Sequence, residues 1–294
     1  MSLVKSLSVG NGDMFYIVHG SDNFTMIDCY MPQFRQASIL FELKLQAAGK
    51  GIVRFISTHP DDDHIKGLTA LHERMNLVNF YCVKNETTKP DQTDDFDQYC
   101  ALRDDAEKAF YIFRGCTRKW MNQHGDGRSS SGIEILWPDT SNQLYQEALR
   151  DAADGGCANN ISAIVKYSLN AGATMLWMGD LETEFMEELD PIPVGRADIL
   201  FAPHHGRDSG KVPAAWLQRI QPKLIVVGEA PAEYLHYYPA YNTITQNSAG
   251  DITLDCDTGR TDIYVSDSDY SVDFLTDFRM AHNHGGKYIG SLEH

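Results

Sequence analysis

The sequence predicts an α/β protein in which two mixed sheets pack together with helices on their outer faces. Two observations lead there. Strand-like and helix-like segments alternate through the middle of each half of the 294-residue chain, with hairpins near its two ends. Three groups of chemically active residues each follow a short apolar strand directly: positions 58–64, Gly179-Asp180 and Pro203-His204-His205-Gly206. Groups at strand C-termini collect at one edge of such sheets, so their shared placement predicts one site.

The elements follow in order. Residues 3–9 read as a strand, Gly10-Asn11-Gly12-Asp13 as a turn, and 14–18 as the return strand. A further strand at 24–27 ends at Asp28, and 33–48 reads as a helix. The apolar run 52–56, interrupted only by Arg54, is a strand; 65–75 is a helix and 78–83 a short strand. Residues 85–120 break the pattern and read as a helical insertion, with Tyr99, Leu102, Ala106, Phe110 and Phe113 at helical spacing over 97–120. Strands are expected at 133–137, 161–169, 174–178, 198–202 and 224–227, and helices at 141–151, 182–189 and 214–220. A last hairpin pairs 252–254 with 261–265. Residues 1–278 are expected to form one domain, and 279–294 a loose polar tail ending in a Leu-Glu-His tag remnant.

Composition narrows the function. Hydrophobic residues make up 43% of the chain, enough for a normal core. Forty-one acidic residues against 25 basic ones give a formal charge of −16, which argues against a basic face for duplex nucleic acid. Bound cations would offset part of that charge. The six cysteines form no Cys-x-x-Cys pair and read as ordinary thiols of a reducing compartment. The N-terminus does not read as a signal peptide, and no apolar run reaches the ~20 residues of a membrane span, so a cytoplasmic protein is expected.

The densest chemistry lies in Thr58-His59-Pro60-Asp61-Asp62-Asp63-His64. His59, Asp61, Asp63 and His64 sit within six residues at a strand end, where they can converge on one or two divalent cations. The plain alternative is an acidic surface turn that happens to hold two histidines. Asp180 has an equally plain reading as a helix cap, Asp28 as a turn residue, Asn159-Asn160 as a turn, and His204-His205 as a hydrogen-bonded pair of structural histidines.

Together these parts resemble the metallo-β-lactamase superfamily, which carries an Asp after an early strand, then His-x-His-x-Asp-His, a later His, a bridging Asp and a final His. Asp28 matches the first element, His59-x-Asp61-x-Asp63-His64 the second, Asp180 the bridging Asp and His205 the final His. The resemblance implies a four-layer αββα sandwich with a metal site at one edge. Five segments look like the subgroup typified by the nuclease-like domain of bacterial competence (DNA-uptake) proteins: 9–13, 57–64, Asn160-Ile161-Ser162, 177–181 and Ala202-Pro203-His204-His205-Gly206. Segments 234–239 and 259–262 look similar too, although Tyr238 stands where that subgroup often has His, with His236 two residues earlier.

Two departures shape the expectation. Asp61 replaces the usual His and favours a harder ion, so zinc, manganese and iron are all candidates. No His lies between His124 and Asp180, so the third-motif ligand is missing, with Asn159 or Asn160 near its place. The metal position using His59 and Asp61 should be weaker than the one using Asp63, His64 and His205. The implied ligands are therefore His59, Asp61, Asp63, His64, Asp180 and His205 around one or two ions, with Asp13, Asp28, Asn160 and His236 as supporting residues. The implied activity is a metal-dependent hydrolase, foremost a phosphodiesterase, that attacks with a metal-bound hydroxide. Asp63 or Asp180 would handle the water's proton, and His204 would stabilise charge or protonate the leaving group. The expected substrate is a nucleotide, a short single strand or another small phosphodiester. Hydrolysis of a carboxylic ester, lactone or thioester on the same centre, and a metal-poor interaction module, are the competing readings.

Overall fold

A computed structural model describes residues 1–294. The N-terminal part runs β1 (Ser2–Ser6), β2 (Phe15–Val18), β3 (Asn23–Ile27), α1 (Gln33–Gln46), β4 (Ile52–Ile56), α2 (Asp62–Ile65), α3 (Leu68–Met75), β5 (Phe80–Cys82), α4 (Asp94–Asp104) and β6 (Ala109–Tyr111). The middle supplies β7 (Ile133–Trp137), α5 (Gln143–Ala153), β8 (Ile164–Ser168), β9 (Thr174–Trp177), α6 (Thr183–Glu188), β10 (Ile199–Phe201), α7 (Ala214–Ile220), β11 (Leu224–Val227), β12 (Thr243–Thr245) and α8 (Gln246–Ala249). The chain closes with β13 (Ile252–Asp257), β14 (Arg260–Val265) and β15 (Lys287–Glu293).

These strands form two mixed sheets, one of nine strands ordered β15-β14-β13-β1-β2-β3-β4-β5-β6 and one of six ordered β12-β11-β10-β9-β8-β7. β3 to β6 run parallel, as do β9 to β12, and every other neighbouring pair is antiparallel. The period-2 alternation of strand side chains explains the packing. Phe15, Ile17, Ile27 and Ile56 join a core shared with the six-stranded sheet. Their sequence neighbours Tyr16, Met26 and Phe55 join a second core with residues of α1, α3 and α4. The Phe15 ring meets Trp177 and Phe201 edge-on, at centroid distances of 6.1 and 5.1 Å, and so links the two sheets.

Arg54 faces the shared core with Ile56 and is fully buried. Its guanidinium donates to Thr25 Oγ1, Asn23 Oδ1 and the Trp120 carbonyl, and lies 5.7 Å from the centre of the Tyr81 ring. The apolar run is thus interrupted by a cation that finds uncharged acceptors and an aromatic face in place of a carboxylate.

Three expectations are corrected. The helix at 65–75 is two helices, because Gly67 takes a left-handed φ of 113°. The Asp95 carboxylate receives the N–H groups of Gly67 and Thr69, both at 2.8 Å, and so covers the start of α3 from α4. The insertion 85–120 is helical only over Asp94–Asp104. Asp105 Oδ1 accepts from the N–H groups of Glu107 and Lys108, which turns the chain. Ala109–Tyr111 then adds β6 to the sheet edge beside β5, so Phe110 lies on a strand and Phe113 beyond it. The tail is loose only at first. Lys287–Glu293 pairs with β14, burying Tyr288, Ser291 and Leu292, and His294 donates its N–H to the Gly259 carbonyl at 3.0 Å. The alternating pattern of that strand is hidden in sequence by Gly290 and by the polar stretch before it.

None of the six cysteines is paired; Cys29, Cys82, Cys116 and Cys256 are buried and Cys157 is exposed. No helix is long and apolar enough to cross a membrane.

Candidate metal centre

The C-terminal ends of the parallel strands carry the site. β3 ends at Asp28, β4 runs into the His59–His64 turn and α2, β9 into Gly179-Asp180, and β10 into Pro203-His204-His205. Backbone hydrogen bonds knit these turns together. Asp13 N–H donates to the Asp63 carbonyl at 2.9 Å, Cys29 N–H to His64 at 2.8 Å, Ala163 N–H to Thr58 at 3.1 Å and His204 N–H to Gly179 at 3.0 Å. The tight turns need unusual dihedrals: Asp28, His204 and His205 all have left-handed φ, between 54° and 56°. Non-glycine residues held there are strained, and such strain concentrates at functional sites.

Asp13, His64, Asp180 and His205 are all buried and each bring one donor atom within 4.8 Å of the others, a cluster that can hold a metal ion. Its inner face is formed by His64 Nε2, 2.9 Å from Asp180 Oδ1, and by His205 Nε2, 3.5 Å from Asp180 Oδ2 and 3.2 Å from Asp63 Oδ2. Ligands about 2.1 Å from one ion stand roughly 3.0–3.4 Å apart, so these spacings suit neighbours around a common centre. His64 Nε2 and Asp180 Oδ1 are close yet misaligned, and neither has a hydrogen-bond partner. Buried polar atoms left unpartnered are costly, and a cation between them would satisfy both. On this test the donor set fits a divalent ion.

The outer nitrogens of both rings are held by carboxylates. His64 Nδ1 lies 2.8 Å from Asp28 Oδ2, and His205 Nδ1 lies 3.0 Å from Asp13 Oδ1. Asp28 is itself fixed by the N–H and hydroxyl of Thr58. A carboxylate behind a ligating imidazole fixes the ring's orientation and strengthens its donor nitrogen. Asp13 thus sits behind His205, while Asp63 meets the ring's inner nitrogen.

The remaining sequence-predicted residues fall into three places. His59 and Asp61 form a separate pair beside the cluster, with His59 Nε2 3.5 Å from Asp61 Oδ2 and the His59 ring centre 4.1 Å from that of His64. His204 lies at the rim, with Nε2 3.7 Å from Asp180 Oδ2 and Nδ1 3.0 Å from Ser209 Oγ. Asn160 and His236 are not among the grouped donors. Asn160 makes reciprocal hydrogen bonds with Glu182 at the start of α6, so it braces that turn. His236 packs edge-on against Tyr238 and faces Asp208 at 3.5 Å.

One participant carried no sequence signal. Lys89, in the segment before α4, places Nζ 2.8 Å from Asp61 Oδ1 and 3.9 Å from Asp62 Oδ1. Its ammonium lies over the Phe96 ring, with Nζ 5.7 Å from the ring centre. A lone lysine in a polar stretch has no spacing that marks it.

Charge is strongly coupled here. Burial opposes a proton on His64, yet Asp180 and Asp28 outweigh it and hold the ring's pKa well above the ordinary 6.5. Burial likewise opposes charge on His205, but Asp180, Asp13 and Asp63 push it up to about 10. Asp180 is driven the other way: burial raises it, and His64 and His205 pull it well below 3.8. These opposed shifts mark a cluster whose carboxylates favour positive charge at its centre.

A pH dependence follows. A histidine raised from 6.5 to about 10 contributes stability that is full below pH 6.5 and lost as pH rises toward 10. Metal binding reverses that slope, because the ion must displace the same protons. Thermal unfolding in chelator should show a melting temperature that falls between those pH values, while the stabilisation added by a divalent ion grows. A melting temperature in chelator that holds level across that range would contradict the assignment.

No protein-family model matches this sequence, and neither does any curated protein.

Proposed function

We propose that the protein is a metal-dependent hydrolase with a metallo-β-lactamase-like αββα sandwich, acting on a small phosphodiester. The observation that carries this reading is the buried cluster of Asp13, His64, Asp180 and His205 at the parallel strand ends, with Asp28 behind His64 and Asp13 behind His205. The motif resemblance supports the same reading. A divalent ion bound there supplies Lewis acidity, making water nucleophilic near neutral pH and offsetting charge that develops on the substrate. The carboxylate-rich donors favour manganese or iron and still accept zinc.

The protein's own groups divide the remaining work by exposure. Asp180 and Asp63 are both donors to the ion, but Asp180 is 2% exposed whereas Asp63 is 31% exposed, so its other oxygen can receive a proton from the attacking water. Asp28 and Asp13 hold His64 and His205 in place. The Ser209 hydroxyl can donate to His204 Nδ1, which puts the ring proton on Nε2, where it can meet the departing oxygen. Arg207, two residues past His205, is steadied by Asn11 Oδ1 at 2.6 Å and brings a cation to the same rim. That local charge suits a phosphate, while the overall −16 disfavours a long duplex.

The test is turnover. Protein loaded with manganese or zinc should hydrolyse a bis-aryl phosphodiester in preference to a matched carboxylic ester. Ester turnover without phosphodiester turnover would favour an esterase, lactonase or thioesterase on the same centre. Failure to retain metal, even with excess manganese or zinc, would favour an interaction module.

A further inference from the structure

His59 and Asp61 look like half of a second metal position. They offer two donors of their own, 3.5 Å apart. His59 Nε2 is fully buried and lacks a hydrogen-bond partner, so the position is shaped for a cation. A cation is already beside it. Lys89 Nζ stands 2.8 Å from Asp61 Oδ1, on the carboxylate whose other oxygen faces His59.

The placement is built. Lys89 is braced against the ring of buried Phe96 on α4. That helix is anchored to the motif by Asp95, which receives the N–H groups of Gly67 and Thr69 just beyond α2. The insertion therefore holds the ammonium over Asp61 from a fixed wall.

We propose that Lys89 stands in for the charge of a second metal ion, so that the centre binds one divalent cation at Asp63, His64, Asp180 and His205 and keeps a fixed ammonium on Asp61 Oδ1. This rests on the metal-centre reading above and specifies its composition. An ammonium here repels a second divalent ion and neutralises Asp61, which removes the charge that ion would need.

Metal stoichiometry tests this without any substrate. Purified protein equilibrated with manganese or zinc and freed of excess should carry one ion per chain by elemental analysis. Lys89→Met, which keeps the apolar stem and removes the charge, should carry two, and Lys89→Arg should stay at one. Two ions in the unmodified protein would overturn the proposal, and so would a Lys89→Met protein that remains at one. His205→Ala in the same series separates the two levels of argument. It should lose the single ion, and retention of that ion would defeat the assignment of the principal site while leaving the Lys89 comparison readable. An unmodified protein that carries no ion would defeat both.

Discussion

Replacing His64 with alanine is expected to weaken divalent-metal binding by about a thousandfold, or ~4 kcal/mol, the scale seen when one partner is stripped from a buried charged cluster. The His64 ring contacts Asp28 on one side and Asp180 on the other. Its loss removes a donor and leaves two buried carboxylates facing each other. His59→Ala should cost about tenfold or less, on the scale of an outlying contact to a metal site. The comparison is controlled by the structure itself: both rings are fully buried and their centres are 4.1 Å apart, so the cavities left behind are similar. What differs is the chemistry at the inner nitrogen. Calorimetric titration with manganese or zinc, on variants first shown to melt cooperatively, reads the difference. Equal losses at the two positions would mean that His59 is a full ligand of the principal ion.

Gly228→Ala should damage the same centre without altering any donor. Gly228 directly follows β11, and a Cβ there would lie 2.8 Å from both Cα and the carbonyl oxygen of His205 and 3.0 Å from its carbonyl carbon. Those atoms belong to backbone already held at a left-handed φ of 56°, so they have little freedom to yield. Overpacking of this kind costs ~1–3 kcal/mol. The displacement should also turn the imidazole away from Asp63 and Asp180 and lower metal affinity by about 10- to 100-fold, as disturbed ligand orientation does elsewhere. Melting and metal titration together check this. A lowered melting temperature with metal affinity intact would show that the strand moves and His205 does not.

Much of this arrangement is legible in the sequence, for identifiable reasons. Strands such as Ile52–Ile56 and Leu224–Val227 are short apolar runs bounded by turn residues, and their limits agree with the expected ones. The donors lie directly after such strands, so Asp180 and His205 are found once Asp63 and His64 are. Helical spacing misleads in the insertion, because Phe110 and Phe113 keep the helical period by coincidence while Asp105 turns the chain. β6 and β12 are three-residue strands with too few positions to show a pattern. β15 carries Gly290 where an apolar residue would have marked it. Lys89 is invisible for a different reason: its position follows from how α4 docks on the loop after α2, a tertiary fact with no local trace. The supporting roles of Asp13 and Asp28 are only half visible. Both end turns, but which histidine each holds depends on contacts across 192 and 36 residues.

That last separation bears on how the protein is made. Asp13 comes from the first hairpin, His205 from beyond the tenth strand, and Asp63 and His205 are themselves 142 positions apart. Contacts of such range close late, after most of the chain-ordering cost has been met. The run from His59 to His64 offers a nascent chain only part of the donor set, because Asp180 and His205 join it later. An ion that needs the whole set acts on the finished scaffold, and so mainly on the rate of escape from the native state.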